Sequence, residues 1–112
     1  RENLWFFRVD DKCKVINADF LEWESNIHFD AIVTDLPYGK SSLLFGRELN
    51  ELYEKSFRKM HEHSNKAVIM GPKDLTKTLT RCGWEVRALY DLYVHRSLRR
   101  WIHVCQSNPN KV

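Results

Sequence analysis

Apolar positions along the chain fall into runs whose spacing changes from element to element. Two short runs predict strands: Cys13-Lys14-Val15-Ile16-Asn17, closed by Ala18-Asp19, and Phe29-Asp30-Ala31-Ile32-Val33-Thr34-Asp35. The second is almost continuously apolar between turn residues, the pattern of a central strand buried on both faces of a parallel sheet. Lys66 to Met70, ended by Gly71-Pro72, predicts a third buried strand. Between the first two, Phe20 to Asn26 predicts one or two helical turns. Leu49, Leu52, Tyr53, Phe57 and Met60 share one helical face and predict a helix from Arg47 to about His63. Glu51 with Lys55 and Glu54 with Arg58 add favourable i,i+4 pairs. Asp74 is placed to cap a short helix running through Cys82, which Gly83 closes.

The pattern then changes. Trp84 to Val94 and Leu98 to Gln106 alternate apolar and polar residues about a turn at His95-Arg96-Ser97, which predicts an antiparallel hairpin. Strands alternating with helices imply right-handed crossovers, so the fold class expected is α/β, a mostly parallel sheet finished by an antiparallel hairpin. The apolar cluster Leu4-Trp5-Phe6-Phe7 reads as the last turns of a helix, and Ser107 to Val112 as a polar tail.

Length narrows this picture: 112 residues support one modest core and no second domain. The chain opens at Arg1 without an initiator methionine, and we expect a portion of a larger protein. No stretch approaches the roughly 18 consecutive apolar residues of a membrane span, and no secretory leader is visible. A soluble, cytoplasmic protein without a membrane partner is expected. The three cysteines, Cys13, Cys82 and Cys105, are odd in number and lack a CxxC pair, which disfavours a disulfide framework or zinc site and suits a reducing compartment. A net charge of +3 is too mild for bulk electrostatic capture of nucleic acid, although its sign permits an RNA partner.

Candidate chemistry concentrates at Asp35-Leu36-Pro37-Tyr38-Gly39, the carboxyl end of a buried strand, where open α/β sheets place their ligands. The exocyclic amine of a nucleobase is a poor nucleophile because its lone pair is delocalised into the ring. A catalyst must draw on its N–H groups and fix its direction. The Asp35 carboxylate and the Leu36 carbonyl are adjacent acceptors, and Leu36 is biased to an extended conformation by the proline after it. Tyr38 offers an aromatic face, and stacking of a base on such a face contributes about 1–3 kcal/mol. Such a site needs no metal.

This pentapeptide resembles the (D/N)PPY motif of S-adenosyl-L-methionine-dependent amino methyltransferases. The longer string Asp30 to Ser42, DAIVTDLPYGKSS, with Leu52-Tyr53-Glu54-Lys55 and Val94-His95-Arg96-Ser97-Leu98, is similar to archaeal-type tRNA guanosine-10 N2-methyltransferases. The resemblance implies a Rossmann-like methyltransferase sheet behind an RNA-binding THUMP domain, S-adenosyl-L-methionine as cofactor and tRNA as partner. It gives Asp35 and Leu36 the bonds to the target amine, with Pro37 and Tyr38 completing the catalytic motif. Asp19 and Phe20 fall to the adenine edge of the cofactor, which Asp35 also borders, and Gly39, Lys40, Ser41 and Arg96 fall to the substrate. Where the family commonly has proline, this chain has Leu36, which keeps the carbonyl acceptor and loses some rigidity.

The family's glycine-rich cofactor loop has no counterpart among the four glycines present. The expectation is therefore the C-terminal portion of a catalytic domain, residues 1–106, lacking its N-terminal half. In the family's strand order, 3-2-1-4-5-7-6, this chain would supply strands 3, 4, 5, 6 and 7. The edge at Asp30 to Thr34 would then be open to pairing with another chain. Three other functions remain open at this point: methylation of adenine N6 in DNA, methylation of glutamine in a protein, and a non-catalytic half-domain that binds RNA or a partner.

Plainer readings compete at several positions. Asp19 can simply cap the turn that follows it. His95, Arg96, Arg99 and Arg100 can form a solvated loop rather than a phosphate contact. His61 and His63 point to different sides of a helix and read as its solvated end. Trp5, Trp23, Trp84 and Trp101 read as core or interface residues.

Overall fold

The computed structural model describes residues 13, 16, 18–36, 47–96 and 98–108. Six elements follow one another: β1 (Ile32–Asp35), α1 (Arg47–His63), β2 (Lys66–Gly71), α2 (Thr76–Arg81), β3 (Trp84–His95) and β4 (Leu98–Ser107). The strands form one sheet in the order β1-β2-β4-β3, the succession 4-5-7-6 that the resemblance implies.

The expectation of a mostly parallel sheet is corrected. Among the described strands only β1 and β2 run parallel, while β2 with β4 and β3 with β4 are antiparallel. Two causes combine. The predicted strand at Cys13–Asn17 contributes no described strand, for Cys13 and Ile16 lie outside regular structure and the residues between them, with Asn17, lie outside the described set. The hairpin strands are also long, 12 and 10 residues, against 4 for β1. The apolar cluster at Leu4–Phe7 and the loop from Lys40 lie outside the described residues. Of the stretch Phe20 to Asn26 only residues 20–22 form a turn, closed by Glu22 N–H and Trp23 N–H donating to the Asp19 carbonyl.

The core sits between one face of the sheet and the two helices. Tyr53, Phe57 and Met60 on α1 and Leu79 on α2 meet Ala67 and Ile69 of β2, Trp84 of β3 and Cys105 of β4. The alternation of β2 makes this possible, since every second residue from Ala67 is buried. Polar groups inside are paired. Trp84 Nε1 donates to the Phe57 carbonyl at 3.0 Å. The wholly buried His103 lies between two backbone groups: its Nδ1 is 2.9 Å from the Ile69 carbonyl and its Nε2 is 2.9 Å from Leu75 N–H. A carbonyl only accepts and an amide N–H only donates, so His103 is the neutral Nδ1-protonated tautomer. The 3.9 Å approach of Asp74 to Nε2 is accordingly not an ion pair.

Register fixes which residues line the other face. Val33 and Asp35 pair with Val68 and Met70, which pair in turn with Val104 and Ile102. Opposed residues share a face, so these six lie opposite the helices, together with Arg100 two residues from Ile102. Val33 is 78% exposed and Ile32 and Thr34 on the helix side are half-buried, so the burial on both faces of β1 expected from its apolar run is corrected. An irregularity between Val86 and Ala88 shifts β3 by one residue, as bulges do. Beyond it Tyr90 and Leu92 follow the outer face, where both are exposed.

Gly83 ends α2 with φ of 95°, a conformation that side chains disfavour. An added Cβ would also stand 3.2 Å from His61 Nε2. The solvated helix end predicted for His61 and His63 is corrected. His63 is buried, its Nδ1 2.9 Å from the Ile27 carbonyl and its ring 5.2 Å from that of Trp23. His61 Nε2 is 2.8 Å from Ser107 Oγ. They do diverge around the helix, but onto two other segments rather than into water.

Candidate active site

β1 ends at Asp35 and β2 at Gly71, with their carboxyl ends on the same side of the sheet. Leu36 N–H donates to the Met70 carbonyl at 2.8 Å, carrying the ladder one residue past β1. The Leu36 side chain is buried in the core. The backbone at the motif's second residue is therefore tied on both sides, by its hydrogen bond and by its packed side chain.

Asp35 projects from the outer face, its side chain 49% exposed. Its Oδ2 accepts from Arg100 Nη1, and the same guanidinium nitrogen is 3.4 Å from Met70 Sδ. Arg100 is only 24% exposed, which separates it from the solvated turn with which sequence reasoning grouped it. Alternation held the missed signal: Arg100, Ile102 and Val104 are two apart and share the face on which a reaching side chain meets β1.

Phe20, Ile32, Thr34, Asp35, Leu36 and Met60 contribute to the wall of a cavity of about 330 Å³ along the edge of β1. The structure thus brings Phe20 to Asp35 and Leu36 from a separate segment. Asp19 stands just outside this wall. Its Oδ1 accepts from Leu21 N–H at 3.0 Å, the capping role that was its plainer reading. Phe20 packs on the core with Lys59 Nζ 5.4 Å from its ring centroid. Lys59 in turn donates to the Leu21 carbonyl at 3.1 Å and to the Trp23 carbonyl, so α1 holds the turn that presents Asp19 and Phe20. A larger cleft of about 760 Å³ lies between residues 21–26 and α1, lined by Lys55, Arg58, Lys59 and Glu62 and by none of the motif residues. Lys59 is already engaged with the Leu21 and Trp23 carbonyls, and the smaller cavity is the one beside the candidate chemistry.

Arg96 lies at the exposed turn between β3 and β4. Because Trp101 pairs with Gly71 and Asp91 with Trp101, the hairpin overhangs the carboxyl edge of β2 by three residues of β4 and four of β3, roughly 10–13 Å of strand. Arg96 is thereby on the same side of the sheet as Asp35. On this overhang the Arg99 guanidinium bonds Asp91 at 3.1 Å and lies 5.9 Å from the Tyr93 ring centroid. Pro37, Tyr38, Gly39, Lys40 and Ser41 lie outside the described residues. Among the described residues no three or more His, Cys, Asp or Glu side chains group as a metal site, and no helix is long and apolar enough to cross a membrane.

Fold and site together define an α/β domain with an acid at the carboxyl end of β1 and an apolar cavity alongside that strand. The chain belongs to the UPF0020 family, RMKL-like methyltransferase domain, which residues 1–101 match. It is 31% identical over 110 residues to a tRNA (guanine(10)-N2)-dimethyltransferase of Methanothermobacter thermautotrophicus, an alignment covering 95% of this chain and 32% of that relative. The chain therefore spans about a third of the length of the curated relative it matches. Its fold is shared with the crystal structure of Thermoplasma acidophilum 1320, with a TM-score of 0.59 and 16% identity over 91% of this chain and 59% of that one.

Proposed function

We propose that this chain is the base-recognising, C-terminal portion of an S-adenosyl-L-methionine-dependent RNA methyltransferase that methylates the exocyclic N2 amine of guanosine in tRNA. The observation that carries the reading is the meeting of Asp35, Leu36 and Phe20 at one cavity alongside β1, in a chain of a methyltransferase family. The likeness to a relative named for guanine N2 dimethylation favours tRNA over DNA adenine or protein glutamine as the target.

The residues present suit the adenosyl end of the cofactor. Phe20, Ile32 and Met60 give the cavity an apolar wall for a flat ring. The Asp19 carboxylate, one residue before Phe20 and exposed, has lone pairs beyond the one taken by Leu21 N–H, which an adenine amine can use. Its volume falls in the range of about 300–1,000 Å³ usual for small-molecule clefts. When bound, S-adenosyl-L-methionine supplies a methyl group activated by its positive sulfur.

The chain's own residues then act on the amine. The Asp35 carboxylate and the Leu36 carbonyl each accept one of its N–H bonds, turning the nitrogen lone pair towards the methyl carbon. As the nitrogen becomes positive, the negative charge of Asp35 stabilises it, and a proton leaves to Asp35 or to solvent. Tyr38 stacks on the base. Gly39, Lys40, Ser41 and Arg96 meet the RNA around it, with Arg96 carried on the overhanging hairpin. Most of the rate gain asked of such a site is orientation and preorganised charge.

The test is Asp35→Ala in the complete protein. Transfer of labelled methyl to tRNA is expected to fall below detection while calorimetry still registers cofactor binding. Substantial turnover by that variant would overturn the assignment.

A further inference from the structure

From the sheet geometry we infer that Arg100 is a positioning residue for the motif acid, holding the Asp35 carboxylate in the rotation that the target amine meets. This inference rests on the methyltransferase reading above and adds to it a residue 65 positions away in the chain.

Three observations carry it. The first is reach. Asp35 is on β1 and Arg100 on β4, with β2 between them, so their backbones are about 10 Å apart across the sheet. Asp35 is in register with Met70 and Met70 with Ile102, which displaces Arg100 two further residues along β4. An arginine side chain is long enough to span that diagonal, and it does so over Met70, whose Sδ is 3.4 Å from Nη1.

The second is order. A surface carboxylate on a strand end rotates freely unless something fixes it, and exposed ion pairs seldom do. Here the cation is three-quarters covered and laid along Met70, so its stem is packed rather than mobile. The Nη1 contact then ties down one oxygen of the carboxylate, Oδ2, through a charge-assisted hydrogen bond, roughly twice as strong as a neutral one.

The third is consequence. Orientation of the amine lone pair depends on the carboxylate's own orientation. Misplacing a reacting group by about 1 Å costs on the order of a hundredfold in rate. Binding of RNA depends on many other contacts. Loss of the guanidinium should therefore appear in the chemical step rather than in affinity.

The experiment compares Arg100→Gln and Arg100→Lys in the complete protein, with tRNA and labelled S-adenosyl-L-methionine. For Arg100→Gln the expected result is a fall in kcat of about ten- to a hundredfold, with KM for tRNA within about twofold and calorimetric cofactor affinity unchanged. Arg100→Lys keeps a cation beside Met70 and should recover part of the loss. If Arg100→Gln does not fold, Arg100→Lys against the unaltered protein decides, with a lower kcat at constant KM supporting the inference. Unaltered kcat in both variants overturns it, and so does a rise in KM with kcat preserved, which would make Arg100 an RNA contact. Arg87→Gln, on the same hairpin and facing Gln106, is the control and leaves both constants unchanged. If Asp35→Ala is inactive while Arg100→Gln is fully active, the positioning role alone fails. If Asp35→Ala turns over, the functional reading fails with it.

Discussion

Single residues in this fold are controlled by what their tertiary neighbours leave accessible. Cys82 and Cys105 are buried and unbridged, and Cys13 is exposed. Burial pushes the Cys105 thiol up to about 12 and raises that of Cys82 as well, because a thiolate loses its hydration there. At pH 8 a thiol reagent is therefore expected to label one cysteine quickly and the other two only after denaturation. Three rapid equivalents in the native protein would contradict the packing. The candidate site shows the same dependence. Asp35 was named from its motif and Phe20 from the family resemblance. Arg100 was visible only as one basic residue among four near a turn. What distinguishes it is the covered, strand-bound position from which it reaches Asp35, and no local feature of the sequence states that.

Among the elements, the helix Arg47–His63 matches its predicted bounds because five apolar residues at helical spacing had one face to bury. The hairpin was legible for the analogous reason at a period of two. The irregularity after Val86 was not, since a bulge is a choice between registers of two strands. Glu54 illustrates a similar limit. Its helical spacing suggests Arg58, yet it bonds Arg81 of α2 at 2.6 Å, a partner supplied by helix packing.

The start of α2 makes a testable element. Asp74 lies one residue before the N-cap Leu75, and its Oδ1 accepts from Thr76 Oγ1 at 2.6 Å and Thr76 N–H at 2.9 Å. Those two hydrogen bonds hold the Asp74 carboxyl below the usual carboxylate range. A lowered folded value means that the unfolded chain takes up the proton first. The contribution of Asp74 is thus complete above about pH 4 and is lost as acid carries the pH down through the folded value. Asp74→Ala should destabilise the domain at neutral pH, by roughly 1 kcal/mol if it behaves as a capping residue. It should also flatten the acid limb of the stability profile. A variant with the same slope as the parent from pH 5 downward would assign that slope to other groups.

For the whole molecule, the arrangement places Asp35, Leu36 and Arg96, among the described candidate residues, at one end of the sheet. β1 and β2 end there and the hairpin overhangs it, while the turn carrying Asp19 and Phe20 is tied to Lys59 near the C-terminal end of α1 and meets Asp35 along the cavity beside β1. β1 has β2 as its one strand neighbour among the described residues, and strands with an open side recruit partners. We therefore predict that the isolated 112-residue chain self-associates through Asp30–Thr34, with a sedimentation coefficient that rises with concentration. A monomer across a wide concentration range would dispose of that expectation.

The sequence by itself determined the α/β character, the helix and hairpin positions, and the acid of the motif at a strand end. All of these follow from spacing within a few residues, where backbone geometry converts period into conformation. Tertiary structure alone decided the antiparallel pairing and register of β2 with β4, the pairing of His61 and His63 with distant segments, and the contact between Arg100 and Asp35. Those depend on the register of strands far apart in the chain, which is set by the joint packing of all the elements and leaves no local periodicity to read.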